Sequence, residues 1–160
     1  MISEAPYLFS IAALSVSLAG FAGLVAAFRR GGAPRPIDFY RLRQIAEFGL
    51  ANAFLALLPI PLAATLGEAP QAVRIASVVV FAYVIAYWFA LIRQARRLEL
   101  GLRFDPIFLI FALNVAILAS AIVAAAMPST AAFEWLLLFL LARPMLAFVL
   151  VLGALGDDGT

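Results

Sequence analysis

The residues that could carry chemistry in this chain are the few polar side chains that interrupt long apolar segments. Arg143 stands between the apolar runs LLLFLLA and PMLAFVLVLG, and a guanidinium keeps its proton in proteins. A charge at the centre of a bilayer costs about 2.5–3.5 kcal/mol on insertion scales, so it should face a bundle interior or a water-filled cavity. Arg143 is therefore the first candidate for a functional residue, as a fixed cation beside an anion pathway.

Glu47 is the leading candidate counter-ion for Arg143. The two Cα atoms differ in expected depth by roughly 10 Å at 1.5 Å per residue, a gap that a long arginine side chain can bridge. Arg43, four residues before Glu47 on the same helix face, is a competing partner. Two alternatives stay open for Arg143: a buried ion pair that fixes helix register, or a charge that faces water.

The other polar residues near this site are amides, namely Gln44, Asn52 and Asn114. Isolated amides in membranes mostly serve as packing contacts between helices, worth about 0.6 kcal/mol each. We expect these three amides to line or support the site at Arg143 and Glu47.

The missing residue types exclude many activities. The sequence has no Cys, no His and no Lys, so zinc and iron–sulfur sites, His-ligated haem, thiol catalysis and a lysine Schiff base have no ligands here. The apolar segments also lack paired carboxylates, or a serine beside a base, at helical spacing. We expect no cofactor, no metal and no enzymatic activity.

The elements that must position these residues are membrane helices. The chain is 66% hydrophobic and 12% charged, with a mean hydropathy of +1.10, values typical of polytopic membrane proteins. A crossing needs about 20 apolar residues. The sequence predicts an all-α protein, one transmembrane bundle over residues 1–160 with five spans: 6–28, 45–66, 73–92, 106–127 and 133–155. Pro59 and Pro61 should kink or loosen the last turns of the second span.

The arginines predict the orientation of the chain. Nine of the eleven basic residues lie between the first and second spans or between the third and fourth, so the positive-inside rule places the N-terminus outside and the C-terminus inside. Nucleic acid binding is not indicated, because neither arginine-rich segment is long enough to form a nucleic-acid-binding domain. Some of these arginines are also candidates for binding anionic lipid headgroups, namely Arg29, Arg30, Arg93, Arg96 and Arg97.

The first span contains the clearest packing motif. Ser15, Ala19, Gly23 and Ala27 recur at every fourth position, with Gly20 beside them, and such small residues let another helix approach closely. That helix belongs either to the same chain or to a second copy in a homo-oligomer. The run LAGFAGL resembles the first helix of small uncharacterised bacterial multi-spanning membrane proteins. The resemblance covers one helix and brings no function with it. We expect an integral protein of a bacterial inner membrane.

These features predict a small channel or transporter, oligomeric, that moves an anion or small solute. Arg143 is the selectivity charge in this interpretation. The alternative is a non-transporting structural or accessory subunit that packs against a larger membrane complex through the small-residue face of the first helix.

Overall fold

The computed structural model describes residues 5–28, 36–97 and 105–157, with side chains over 5–27, 42–90, 93 and 111–149. Within these ranges every regular element is an α-helix and there is no strand, which confirms the predicted all-α class. The helices are α1 (Ala5–Phe28), α2 (Pro36–Leu57), α3 (Pro59–Leu66), α4 (Ala69–Arg97), α5 (Asp105–Ala126) and α6 (Thr130–Asp157).

Four helical segments are long and apolar enough to cross a membrane: Ala5–Ala27, Leu42–Leu66, Ala69–Ala90 and Thr130–Val149. The described apolar part of α5 is shorter, so the count of five spans stays a prediction. Large apolar side chains are exposed on these segments, Phe54 at 69% and Phe89 at 65%, as suits contact with lipid chains. Length and apolar composition thus indicate an integral membrane protein.

The second span is broken near its end. Helix α2 stops at Leu57 and α3 starts at Pro59, with Leu58 in a turn between them. Pro59 and Pro61 lack the amide hydrogens that a regular helix would donate one turn back. The predicted loosening of this span is therefore confirmed.

Two helices extend further than hydropathy predicted. Helix α2 begins at Pro36, before the predicted start at residue 45, and α4 ends at Arg97, beyond the predicted end at residue 92. Hydropathy marks where lipid contact ends, whereas helical hydrogen bonding continues through polar turns.

The described helices fall into two compact units. The first unit contains α1, α2 and the part of α6 from residue 140 onward. Its core consists of Ala22, Leu42 and Ile45, against which Phe148 of α6 packs. Phe21 of α1 meets Phe148 edge-on, with ring centroids 5.6 Å apart. These contacts fix the relative rotation of the helices that carry Glu47, Asn52 and Arg143.

The second unit contains α3, α4, α5 and the first part of α6, and α4 packs against both α3 and α5. Gly67 ends α3 with φ +74°, a left-handed conformation that favours glycine, and its amide donates to the carbonyl of Ala63 at 3.0 Å. Arg74 Nε donates to the carbonyl oxygen of Ala125 at 3.1 Å. This bond satisfies a carbonyl in the last turn of α5, which has no intrahelical donor.

Candidate intramembrane polar site

Arg143 is held inside the first unit against an aromatic ring. Only 8% of its surface is exposed, and its Cζ lies 4.3 Å from the ring centroid of Phe48 on α2. The face of an aromatic ring attracts a cation by about 0.5–2 kcal/mol. Pro144 follows within α6 and removes an amide donor, so the helix also has a carbonyl without its usual partner one turn earlier.

Glu47 forms an ion pair with Arg43, which lies four residues earlier on the same helix. Its Oε1 lies 2.7 Å from Arg43 Nε, and the two side chains are 46% and 66% exposed, respectively. An exposed pair at i,i+4 is worth about 0.3–0.5 kcal/mol. The expected pair of Glu47 with Arg143 is thus replaced by this contact, because Arg43 lies one turn away on the same helix face.

Asn52 joins α2 to α1. Asn52 is fully buried, and its Nδ2 donates to Ser15 Oγ at 2.9 Å. Ser15 Oγ donates in turn to the carbonyl oxygen of Ile11 at 2.8 Å. Asn52 Oδ1 is buried and has no hydrogen-bond partner among the described residues. Leaving such an acceptor unsatisfied costs about 1–3 kcal/mol. This oxygen is therefore available to accept a hydrogen bond.

Gly49 brings the two helices together beside this pair. A Cβ added to Gly49 would lie 2.7 Å from the carbonyl oxygen of Ser15 and 2.9 Å from the Cβ of Ala19. Only glycine therefore fits at this contact. Sequence analysis missed Gly49 because it stands alone among larger residues of α2. Its position three residues before Asn52, on the same helix face, was the available signal.

The small-residue face predicted on α1 divides between two environments. Ser15 and Ala19 are buried against α2, whereas Gly20, Gly23 and Ala27 are exposed. No described atom lies within 4 Å of a Cβ added to either α1 glycine. Steps of four residues drift by about 40° each on a helix with 3.6 residues per turn, so the stripe leaves the α2 contact. Ser15 and Ala19 therefore pack within the chain. For the exposed residues of the stripe, an oligomer contact stays a prediction.

The other two predicted amides differ in position. Gln44 is half-buried on α2, one turn before Phe48, and so belongs to the same unit as Arg143. Asn114, at 1% exposure, is buried on α5 in the second unit.

The arginines proposed for lipid headgroups are described only in part. Arg93 is exposed near the end of α4. Arg96 and Arg97 end that helix with side chains outside the described part, and Arg29 and Arg30 lie outside the described residues.

A polar pattern recurs in two helix pairs, which we call the first hairpin (α1 and α2) and the second hairpin (α4 and α5). Five polar or charged side chains are buried among the described residues, and four of them form two serine–asparagine pairs. The first hairpin contains Ser15 and Asn52, and the second contains Ser77 and Asn114. The members of each pair are 37 residues apart. Ser15 and Ser77 each donate to the carbonyl four residues earlier, at 2.8 Å. Equivalent positions are thus 62 residues apart.

The same offset relates further positions. Sequence analysis did not identify this offset, because apolar residues substitute for one another in packed helices and leave few identical pairs. The additional pairs are two of arginines and three of buried apolar residues: Arg35/Arg97, Arg41/Arg103, Ile11/Val73, Ala22/Val84 and Leu55/Ile117.

The apolar spans and the buried guanidinium together define a helical integral membrane protein with a polar interior site. Comparison of the chain with protein-family models, with curated proteins and with solved structures found no match. The chemistry of Arg143 and its neighbours is therefore the basis for a functional proposal.

Proposed function

We propose that this chain is a small channel or transporter of the bacterial inner membrane that moves an anion or a small solute. One observation carries the proposal: Arg143 lies within the apolar span Thr130–Val149, and only 8% of its surface is exposed. Ionisable residues inside membrane spans are expensive to insert and mark ion or substrate pathways, relays or counter-ions.

The charge of Arg143 favours an anion over a cation. Phe48 stabilises the guanidinium through its ring face and adds no negative charge. Glu47, the carboxylate expected to neutralise it, is bound by Arg43. A fixed positive charge inside a pathway attracts anions and repels cations.

The proposal includes five spans, with the N-terminus outside and the C-terminus inside. Because the natural chain has no Cys, single cysteines can report the orientation without background. Cysteines at Glu68 and Ser129 should react with an impermeant reagent from outside, and cysteines at Gly32 and Gly101 only from inside. The reverse pattern would contradict the orientation, and equal labelling at Glu68 and Gly101 from outside would contradict the span count.

Anion flux into liposomes tests the transport function. The parent chain, Arg143→Gln and the matched control Arg93→Gln, which removes an exposed arginine of α4, are compared at equal protein content. Arg143→Gln should lower chloride flux and shift the reversal potential, because the lost charge acts on the permeating ion. Arg93→Gln should behave as the parent. Parent-like flux in a folded Arg143→Gln protein would contradict the assigned role of Arg143.

The second candidate function is that of a structural or accessory subunit in a homo-oligomer or a larger membrane complex. The observation that favours it is the exposure of Gly20, Gly23 and Ala27 inside an apolar span, because small residues permit close helix contact. Absence of flux for chloride and for small organic solutes by the parent, together with a changed assembly size in Gly23→Leu, would support this function and contradict transport.

A further inference from the structure

We infer that the solute of the proposed transporter is a small carboxylate that also carries a hydrogen-bond donor, such as a hydroxy acid. Arg143 would bind the carboxylate, and Asn52 Oδ1 would accept from the donor. This inference rests on the proposed transport function and names its substrate class.

The two groups are associated with positions one helical turn apart on α2: Arg143 contacts Phe48, and the acceptor belongs to Asn52. Phe48 and Asn52 are four residues apart on α2, so their Cβ atoms are about 5–6 Å apart on one helix face. The Arg143 guanidinium lies over the Phe48 ring, 4.3 Å from its centroid to Cζ. The first unit therefore combines a cation with a buried acceptor that has no donor among the described residues.

The hydrogen bond to Ser15 decides which atom of Asn52 a solute can meet. Nδ2 of Asn52 is engaged by Ser15 Oγ at 2.9 Å, so the amide offers its oxygen. A carboxylate oxygen is repelled by that oxygen, whereas a hydroxyl or ammonium group donates to it. The guanidinium, in contrast, matches a carboxylate with two parallel N–H donors. The solute is thus oriented with its carboxylate toward Arg143 and its donor toward Asn52.

Asn52 is fully buried in this structure, so the solute reaches it only when the helix packing opens. Transporters admit a solute by alternating access, in which helices open and close around a fixed site. Binding of a donor to Oδ1 then satisfies an acceptor that is unsatisfied in the closed state, which favours the loaded form.

The second hairpin supplies a matched control. Asn114 has the same burial and the same separation from a buried serine. The position equivalent to Phe48 is Ile110, which offers no aromatic face for a guanidinium. Loss of the Asn114 amide should thus affect packing as loss of the Asn52 amide does, without removing the predicted acceptor for the solute.

Flux of glycolate and of acetate into liposomes tests the inference, because the two acids differ by one hydroxyl group. The parent should prefer glycolate by at least about tenfold, since a site that bonds a hydroxyl rejects the analogue without it. Asn52→Leu should bring the ratio of the two fluxes close to one and keep acetate flux. Asn114→Leu should keep the parent ratio, and Arg143→Gln should lower both fluxes. If Asn52→Leu does not fold, Ser15→Ala replaces it: the freed Nδ2 lets the amide present either atom, and the ratio should fall.

The outcomes separate this inference from the proposed function. A parent that carries both acids equally, or an active Asn52→Leu protein with the parent ratio, would overturn the substrate class and leave transport standing. An equal fall of the ratio in Asn114→Leu would overturn it too, by assigning the effect to packing. If the parent carries neither acid and no chloride, the transport function itself fails.

Discussion

The first and second hairpins share a polar pattern but bring their helices together differently. In the first hairpin, Gly49 permits contact with the α1 backbone so close that a Cβ would lie 2.7 Å from the carbonyl oxygen of Ser15. The equivalent position in the second hairpin is Phe111, which is 50% exposed and has its ring centroid 6.1 Å from that of Trp88. The serine and asparagine therefore mark equivalent positions in the two hairpins, while the position three residues before the asparagine differs: it is a glycine at a close helix contact in the first and a half-exposed phenylalanine in the second.

Gly49→Leu should have the largest effect on stability. The new side chain would overlap the backbone of Ser15 and separate α1 from α2, at a cost of about 3 kcal/mol, near the upper end for overpacking. Thermal unfolding in detergent would measure the loss. Gly20→Leu is the matched control, because a Cβ there meets no described atom within 4 Å. Equal unfolding temperatures for the two variants would contradict the close contact at Gly49.

The contact between Arg143 and Phe48 should rank second in its effect on stability, and it joins α2 of the first hairpin to α6. A double-mutant cycle with Arg143→Met and Phe48→Leu should show a coupling of about 1–2 kcal/mol for a buried cation–aromatic contact. A coupling of zero would show that the ring merely fills space. Since Glu47 is bound by Arg43, Glu47→Gln should not restore the stability lost in Arg143→Gln.

Arg74→Gln should weaken the second hairpin by about 1 kcal/mol. The change removes the donor to the Ala125 carbonyl at the end of α5, and hydrogen bonds of this kind contribute about 0.5–1.5 kcal/mol. Arg93→Gln, at an exposed position of the same helix, controls for the loss of a positive charge. Similar unfolding free energies for both variants would show that Arg74 does not stabilise α5.

The two serine–asparagine pairs should have similar, small coupling energies. Cycles with Ser15→Ala and Asn52→Leu, and with Ser77→Ala and Asn114→Leu, should each give about 0.6 kcal/mol, the average for such bonds in membranes. Matching values would strengthen the equivalence of the hairpins. A coupling in the first hairpin and none in the second would show that the two pairs share their spacing in sequence but not their contact.

Gly23→Leu should have the smallest effect on the folded chain. Nothing described lies near a Cβ at this position, so the free energy of unfolding should change by no more than about 0.5 kcal/mol. Assembly size, measured by light scattering on the detergent-extracted protein, is the informative quantity here. A smaller particle with unchanged unfolding would place Gly23 in a contact between copies. An unchanged particle size would indicate that the exposed glycines contact lipid.

Sequence reasoning reached the features that depend on depth in the membrane. Hydropathy located four apolar spans, Pro59 and Pro61 predicted the break after Leu57, and Arg143 stood out as a charge inside a span. Spacing along one helix also identified Arg43 as the competitor for Glu47. All of these follow from position along a single helix axis.

Features that depend on the rotation of one helix against another were not predictable in the same way. Phe48 as the contact of Arg143, and Gly49 as the contact of Ser15, require knowledge of which α2 face meets α6 and which meets α1. In lipid, apolar residues are nearly uniform around a helix, so hydropathy carries little information on rotation. The drift of the α1 stripe past Ala19 has the same origin, since only a facing helix defines where the stripe ends.

The left-handed turn at Gly67 bears on the order in which the helices assemble. Helices α3 and α4 are joined through Gly67 and Glu68 alone, so their contacts close a very short loop and lose little chain entropy. The bond between Ser15 and Asn52 closes 37 residues, including the arginine-rich segment. Contacts that are local in sequence form sooner. The turn at Gly67 should therefore nucleate folding, with α1 and α2 closing on their polar pair afterwards.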